Sequence, residues 1–388
     1  MELDRTRPRL PALTSLRFFA AFHVVIFHLL AMKIFLGPAW FQKLSSIGYV
    51  GVSFFFVLSG FILVYTYAGR NLSLKDFWRA RFARIYPAYA FSLLITAPFF
   101  FYAALKMDIP FFVWVKLHLK LASVLVVMLL QAWVPPAALS WNSVAWSLSV
   151  EAFFYLLFPF LLLFFTRRSK PQLFLAAVAS WLASLALSLS YVLLMPDHLA
   201  VVDPDVLMAF WLNALKFSPL ARLPEFLLGM ACGFLFLRSR RESSLALPLV
   251  LSGMAALVVV VYFSASIPFP VLHTALLAPA FAAIVYGFAL RPRWGAFMDN
   301  KLLVLCGDGS YSLYLLHTTI IGIYFHNTSG QLRNQSPIGV LVFVLLAIGI
   351  SAFVYRLIEE PARRKLNPKR KQQRGQVETH PSPQALTA

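Results

Sequence analysis

His28 and Arg17 lie in one apolar stretch, LRFFAAFHVVIFHLL, eleven residues apart. That spacing is close to three helical turns, so both fall on one face, about 16 Å apart along the axis. Ionisable groups in an apolar span are costly and mark function. An imidazole at that place has two readings: a general base working near neutral pH, or a hydrogen-bond partner for a neighbouring helix. Arg17 falls near one end of the run and His28 near its middle. His23 lies off their shared face and reads as structural.

Four further groups stand out. Arg81 and Arg84, in FWRARFARIYPAY, share a helix face at i and i+3. Their forks suit phosphate oxygens, but they also suit anchoring at a membrane surface. Glu151, in WSLSVEAFFYLLFP, has Ser147 and Tyr155 one turn away on either side. A carboxylate there needs a partner, either in an ion pair or in catalysis. The segment GDGSYSLYLLHTT places Ser310, Tyr314 and His317 along one side of a helix, either as a hydrogen-bond seam or as a channel wall. Arg222 and Glu225 read as a local salt bridge. Ser59-Gly60 and Gly229/Gly233 read as points of close helix contact.

The elements that carry these groups are membrane spans. Of 388 residues, 60% are hydrophobic and 13% charged, against about 25% charged in a soluble domain. Apolar runs occur at 13–36, 47–68, 85–105, 121–134, 146–166, 172–194, 223–237, 246–264, 271–290, 302–326 and 337–357. Most reach the roughly 20 residues needed to cross a bilayer. The run at 121–134 is short. If it crossed, the basic cluster Arg167, Arg168 and Lys170 would lie outside and the acidic loop around Asp197 and Asp203 inside. Basic loops belong in the cytoplasm. The expectation is therefore an all-α polytopic integral membrane protein with about ten transmembrane helices. Its N- and C-termini are cytoplasmic, and a re-entrant or interfacial segment lies near 106–134. Residues 1–361 form the membrane domain, and 362–388 a basic, disordered cytoplasmic tail.

The net charge of +19 sits at span ends, which argues for anionic lipid rather than nucleic acid. The two cysteines, Cys232 and Cys306, are far apart and support neither a disulfide framework nor a metal site. Metal-ligand spacing, a phosphate-cradling glycine loop, HExxH and GxSxG are all missing from the sequence. These gaps argue against an ATP-driven pump or a membrane zinc protease.

Seven fragments, in order, resemble the membrane-bound acyltransferase family 3 of O-antigen, Nod-factor and macrolide O-acyltransferases. They are LTSLRFFAAFHVVIFH, GVSFFFVLSGFIL, FWRARFARIYPAY, WSLSVEAFFYLLFP, FLLGM, GDGSYSLYLLHT and YRLIEEP. The resemblance covers about residues 10–361 and matches members without a fused SGNH domain. It implies a multi-pass enzyme of the bacterial inner membrane. Such an enzyme moves an acyl group, acetyl foremost, from acyl-CoA to a hydroxyl of a carbohydrate or glycolipid acceptor.

Carried onto this chain, the resemblance makes His28 the catalytic base or acyl carrier, with Glu151 as its catalytic companion. Arg17, Arg81 and Arg84 become donor-binding residues. Ser147, Tyr155, Tyr314 and His317 are expected to meet the acceptor. No metal is expected, and homo-oligomerisation stays open. The rival expectation is a transporter or flippase in which His28, Glu151 and His317 form a proton or sugar-lipid path.

Overall fold

The computed structural model describes residues 7–107, 110–204, 206–239, 243–329 and 335–366. Of the tail expected at 362–388, everything from 367 onward lies outside these residues. The described chain is helical without strands. Its helices are α1 (Pro11–Ala31), α2 (Ala39–Ser45), α3 (Gly51–Tyr67), α4 (Leu74–Lys106), α5 (Pro110–Leu117) and α6 (Leu119–Val127). Then come α7 (Trp146–Thr166), α8 (Lys170–Leu194), α9 (Phe210–Phe217), α10 (Pro219–Arg238), α11 (Ala246–Phe263) and α12 (Phe269–His273). The last are α13 (Ala278–Ala289), α14 (Lys301–Asp308), α15 (Ser310–Ser329), α16 (Pro337–Val354) and α17 (Glu360–Leu366), with a π-helical turn at Tyr355–Glu359 before α17.

Nine stretches of described helix are long and apolar enough to cross a membrane. They coincide with nine of the ten expected spans. The tenth, 302–326, is α14 with α15. Helix α15 is as long as a span but carries Ser, Tyr, His and Thr along its length, which lowers its hydropathy. Its polar side chains are buried inside the bundle, with Ser310, Ser312 and His317 at 1% exposure or less. The chain is thus an all-α, multi-pass membrane protein.

Helix α3 is the central post, buried over most of its surface. Its contact with α10 is so close that a Cβ on Gly60 would lie 2.3 Å from the Phe226 carbonyl. One on Gly229 would lie 2.1 Å from the Val57 carbonyl, so both positions require glycine. On α10 itself Arg222 and Glu225 form a buried pair one turn apart, 3.1 Å from each other and each 1% exposed. Arg222 also donates to Ser53 on α3 at 2.9 Å and to the His273 carbonyl on α12 at 2.9 Å. The pair is the local salt bridge its spacing predicts, and Arg222 extends it into a brace between α10, α3 and α12.

The segment 106–134 forms two short helices, α5 and α6, neither long enough to cross. It folds back along α4. The Tyr89 hydroxyl donates to the Val126 carbonyl at 2.6 Å, and Tyr86 to that of Val127 at 3.2 Å. The Trp141 indole donates to Leu93 at 3.0 Å. These contacts fall around the middle of α4, so the segment is re-entrant. Leu129 and Trp141 take left-handed backbone angles where it turns, a strained conformation for residues with a side chain.

Candidate active site

Two helices define the axis of the site. Arg17 and His28 both lie on α1, as their spacing predicts. The helix ends at Ala31 rather than near 36, because the chain turns at Lys33, which takes a positive φ of 55°. His28 therefore sits in the last turn of α1, not at its middle. It stays inside the protein because the chain from Gly48 packs back against His23 and Phe27. His23 accounts for itself: its Nε2 lies 2.8 Å from the Leu44 carbonyl.

The His28 ring meets a second histidine. Its Nδ1 is 2.9 Å from the Val24 carbonyl and 3.2 Å from Nε2 of His317 on α15. The ring centroids are 4.8 Å apart. His28 Nε2 has no hydrogen-bond partner among the described residues, and the ring is half-buried rather than sealed. Of the other expected acceptor residues, Ser147 and Tyr314 form a seam beside this pair, and Tyr155 lies apart from it. Ser147 on α7 donates to the Tyr314 hydroxyl at 2.9 Å, and Tyr314 donates to the Val144 carbonyl at 2.8 Å. Asn142 ties the re-entrant segment to the same helix, donating to the Leu315 carbonyl at 3.0 Å.

Nearer the start of α1 lies a charged layer. Arg84 pairs with Glu359 of the π-helical turn at 2.5 Å, and Ser312 reaches the other Glu359 oxygen at 3.5 Å. Arg81 donates to the Tyr67 hydroxyl at 3.3 Å and lies 5.5 Å over the Tyr155 ring. Tyr155 donates a short hydrogen bond to Glu151, and Ser59 donates to the same carboxylate oxygen at 3.5 Å. Arg17 is half-buried and has no hydrogen bond or ion pair among the described residues. It feels the charges of Arg84, Glu359, Asp308 and Glu151. Glu151 is thus joined to Tyr155 and Ser59, while the imidazole of His28 is contacted by His317.

Below this layer a cavity of about 740 Å³ opens where the start of α1 meets the π-helical turn and α17. That volume falls in the range of small-molecule sites. Arg7, Arg9, Arg70, Arg356 and Arg364 line it, with Asp308 and Glu360. Its inner wall includes Thr14 of α1 and Ile62 and Thr66 of α3. On the buried α3, the half-exposed residues Phe55, Ser59, Ile62 and Thr66 fall at i, i+4, i+7 and i+11 on one face. Ser59 faces Glu151 of α7, and Phe55 faces Tyr314 of α15 at 6.2 Å between ring centroids. This strip runs from Ile62 and Thr66 at the basic cavity to Phe55 beside Tyr314, toward the level of His28.

Sequence reading missed the cavity, because its arginines come from three distant segments and resemble ordinary span-end charges. It also missed Glu359. The one available signal was an acidic residue in YRLIEEP, at the end of the last span and beside basic neighbours.

Fold and site together define a polytopic membrane protein with a basic pocket at the start of α1 and a histidine pair at its far end. The chain belongs to the family of the acyltransferase domain, whose pattern matches residues 10–356. It is similar to the acyltransferase MdmB of Streptomyces mycarofaciens, 30% identical over 385 residues and covering 93% of this chain and 94% of that protein. It is also similar to the O-acetyltransferase OatA of Staphylococcus aureus, 26% identical over 381 residues, covering 92% of this chain but 57% of OatA. No solved structure gives a significant match. The protein is an enzyme that transfers acyl groups.

Proposed function

We propose that this enzyme takes an acyl group, acetyl foremost, from acyl-CoA at the cytoplasmic face of the bacterial inner membrane. It passes that group to a hydroxyl of a carbohydrate or glycolipid acceptor reached from the outer side. The observation that carries this reading is the five-arginine cavity, from which a half-exposed face of α3 leads toward the level of His28; we read that face as the donor's passage. Acyl-CoA has three phosphates at one end and a thioester at the other, joined by a slender arm. The cavity suits the phosphates by charge. The rise from Arg17 to His28, about 16 Å, suits the arm. Arg17, the half-buried cation on the passage, draws the donor inward. Arg81 and Arg84 shape and charge the wall around it.

At the far end His28 removes the proton of the acceptor hydroxyl, whose oxygen attacks the thioester carbonyl. The carbon–sulfur bond breaks and the CoA thiolate takes up a proton. Glu151 and Tyr155 line the route, and Ser147 and Tyr314 shape the acceptor side. OatA is named as an O-acetyltransferase, which supports a hydroxyl as the acceptor.

The test uses purified enzyme in nanodiscs with acetyl-CoA and a mixed glycan and glycolipid pool. Transfer should fall at least about 100-fold in His28→Ala, the lower end of the range for losing a general base. Arg9→Ala and Arg356→Ala should raise KM for acetyl-CoA severalfold but leave KM for acetyl-pantetheine unchanged, since that donor lacks the nucleotide. Equal effects on both donors would refute the cavity's role. A stable wild type that neither binds nor consumes any acyl-CoA would refute the donor, and unmodified substrate moved across the bilayer would establish transport instead.

A further inference from the structure

Two histidines touch at the end of the passage, while proton removal needs one. Their hydrogen bonds fix where the protons sit. His317 Nδ1 lies 2.7 Å from the Tyr314 carbonyl and 3.3 Å from that of Leu313. Carbonyl oxygens only accept, so this nitrogen carries the proton and donates. In the neutral ring the lone pair is then on His317 Nε2, which faces His28 Nδ1 at 3.2 Å. His28 Nδ1 also faces the Val24 carbonyl at 2.9 Å. Two acceptors around one nitrogen require a proton on it. Neutral His28 is therefore protonated at Nδ1, and its lone pair is on Nε2, the nitrogen left open to the passage.

We propose that His317 is a positioning residue for His28: with the Val24 carbonyl it holds the tautomer that presents Nε2 as the base, and it steadies the imidazolium formed during transfer. The proposal rests on reading His28 as the base. In the step itself the acceptor O–H proton moves to His28 Nε2, the oxygen forms the new ester bond, and the thiolate leaves and recovers that proton. Throughout, His28 Nδ1–H is shared between the Val24 carbonyl and His317 Nε2, and the pull of both is strongest while His28 is charged. The orienting group is thus a neutral ring anchored on a main-chain carbonyl, in place of a carboxylate. His317 has no exposed surface, so it acts through His28 and not on the acceptor. Around the pair stand Phe27 and Tyr314, with ring centroids 5.0 Å from His28 and 6.1 Å from His317.

The test compares His317→Gln with His317→Leu. The glutamine amide oxygen reaches the place of Nε2 and accepts from His28, whereas leucine fills the space and accepts nothing. Expected is a kcat loss of roughly 100-fold for leucine, the lower end of the range for general-base catalysis, and a smaller loss of about 10-fold for glutamine, with unchanged KM for acetyl-CoA. Wild-type kcat in His317→Leu, or equal losses in both variants with raised donor KM, would overturn the proposal. A second readout needs neither turnover nor folded variants beyond His28→Ala. In wild-type enzyme carrying 15N-histidine, the signals lost in His28→Ala identify His28. They should report a protonated Nδ1 and a bare Nε2, and the opposite tautomer refutes the positioning role. Because this measurement uses no donor, it stands even if acyl-CoA proves to be the wrong substrate.

Discussion

A buried charge that loses its partner keeps its desolvation cost and loses the attraction that offset it. Arg84 and Glu359 are such a pair, with Glu359 only 1% exposed and a second cation, Arg363, 3.5 Å from the same oxygen. Glu359→Ala should destabilise the enzyme by about 3 kcal/mol, the usual scale for breaking a buried pair. The double variant Arg84→Met/Glu359→Ala should recover part of that loss, because no charge at position 84 is then stranded. Thermal unfolding in detergent measures both. A double variant less stable than the single would mean that Arg84 is held by something other than Glu359. The two residues are 275 positions apart. Sequence reading weighed Arg84 against phosphate and membrane surface because its real partner sits on the far side of the fold, a relation that spacing along one helix cannot express.

Elements behaved differently. Helix α3 reads as a span because it is apolar, and its glycine reads as a contact point because small residues let backbones approach. Both inferences depend on local sequence, and both hold. What local sequence could not reveal is which face of α3 stays open. Phe55, Ser59, Ile62 and Thr66 are not distinguished by polarity, and only the packing of the bundle leaves them less covered than the rest of the helix. The expected end of α1 missed for a similar reason, since the apolar character of Met32, Ile34, Phe35 and Leu36 continues past the turn at Lys33. The element-scale prediction concerns the α3–α10 contact. Gly60→Ala puts a methyl against the Phe226 backbone, which cannot yield as a side chain would. Overpacking of this kind costs about 2 kcal/mol. Unfolding temperature should fall, and transfer with it, because α3 carries one wall of the passage. Gly322→Ala, whose added Cβ meets nothing within 4 Å, should leave both unchanged. Equal effects at the two positions would show that helix flexibility, not close approach, is what glycine supplies.

At the scale of the whole molecule, parity constrains the topology. The basic cavity joins Arg7 and Arg70 to Arg356 and Arg364, so these residues lie on one side of the membrane. An even number of crossings must therefore separate residue 70 from residue 356. Helices α4, α7, α8, α10, α11, α13, α15 and α16 supply eight, and a crossing by α5 and α6 would make the number odd. The same parity gathers the basic loops together. Arg238, at the end of α10, donates to the Thr166 carbonyl at 2.7 Å, in the loop that carries Arg167 and Arg168. Asp197 sits in the opposite loop, accepting from Tyr191 at 2.9 Å and from the Leu212 amide at 2.8 Å. With basic loops cytoplasmic, the re-entrant segment enters from outside and leaves Lys116 and Lys120 there, against the usual bias. Single cysteines in a background lacking Cys232 and Cys306 decide this directly. In intact cells a membrane-impermeant maleimide should label Lys120→Cys and Ala200→Cys, and should label Lys170→Cys only after permeabilisation. A crossing segment would exchange the labelling of positions 170 and 200. It would also separate the arginine cavity from itself, so that outcome would remove the donor site along with the topology.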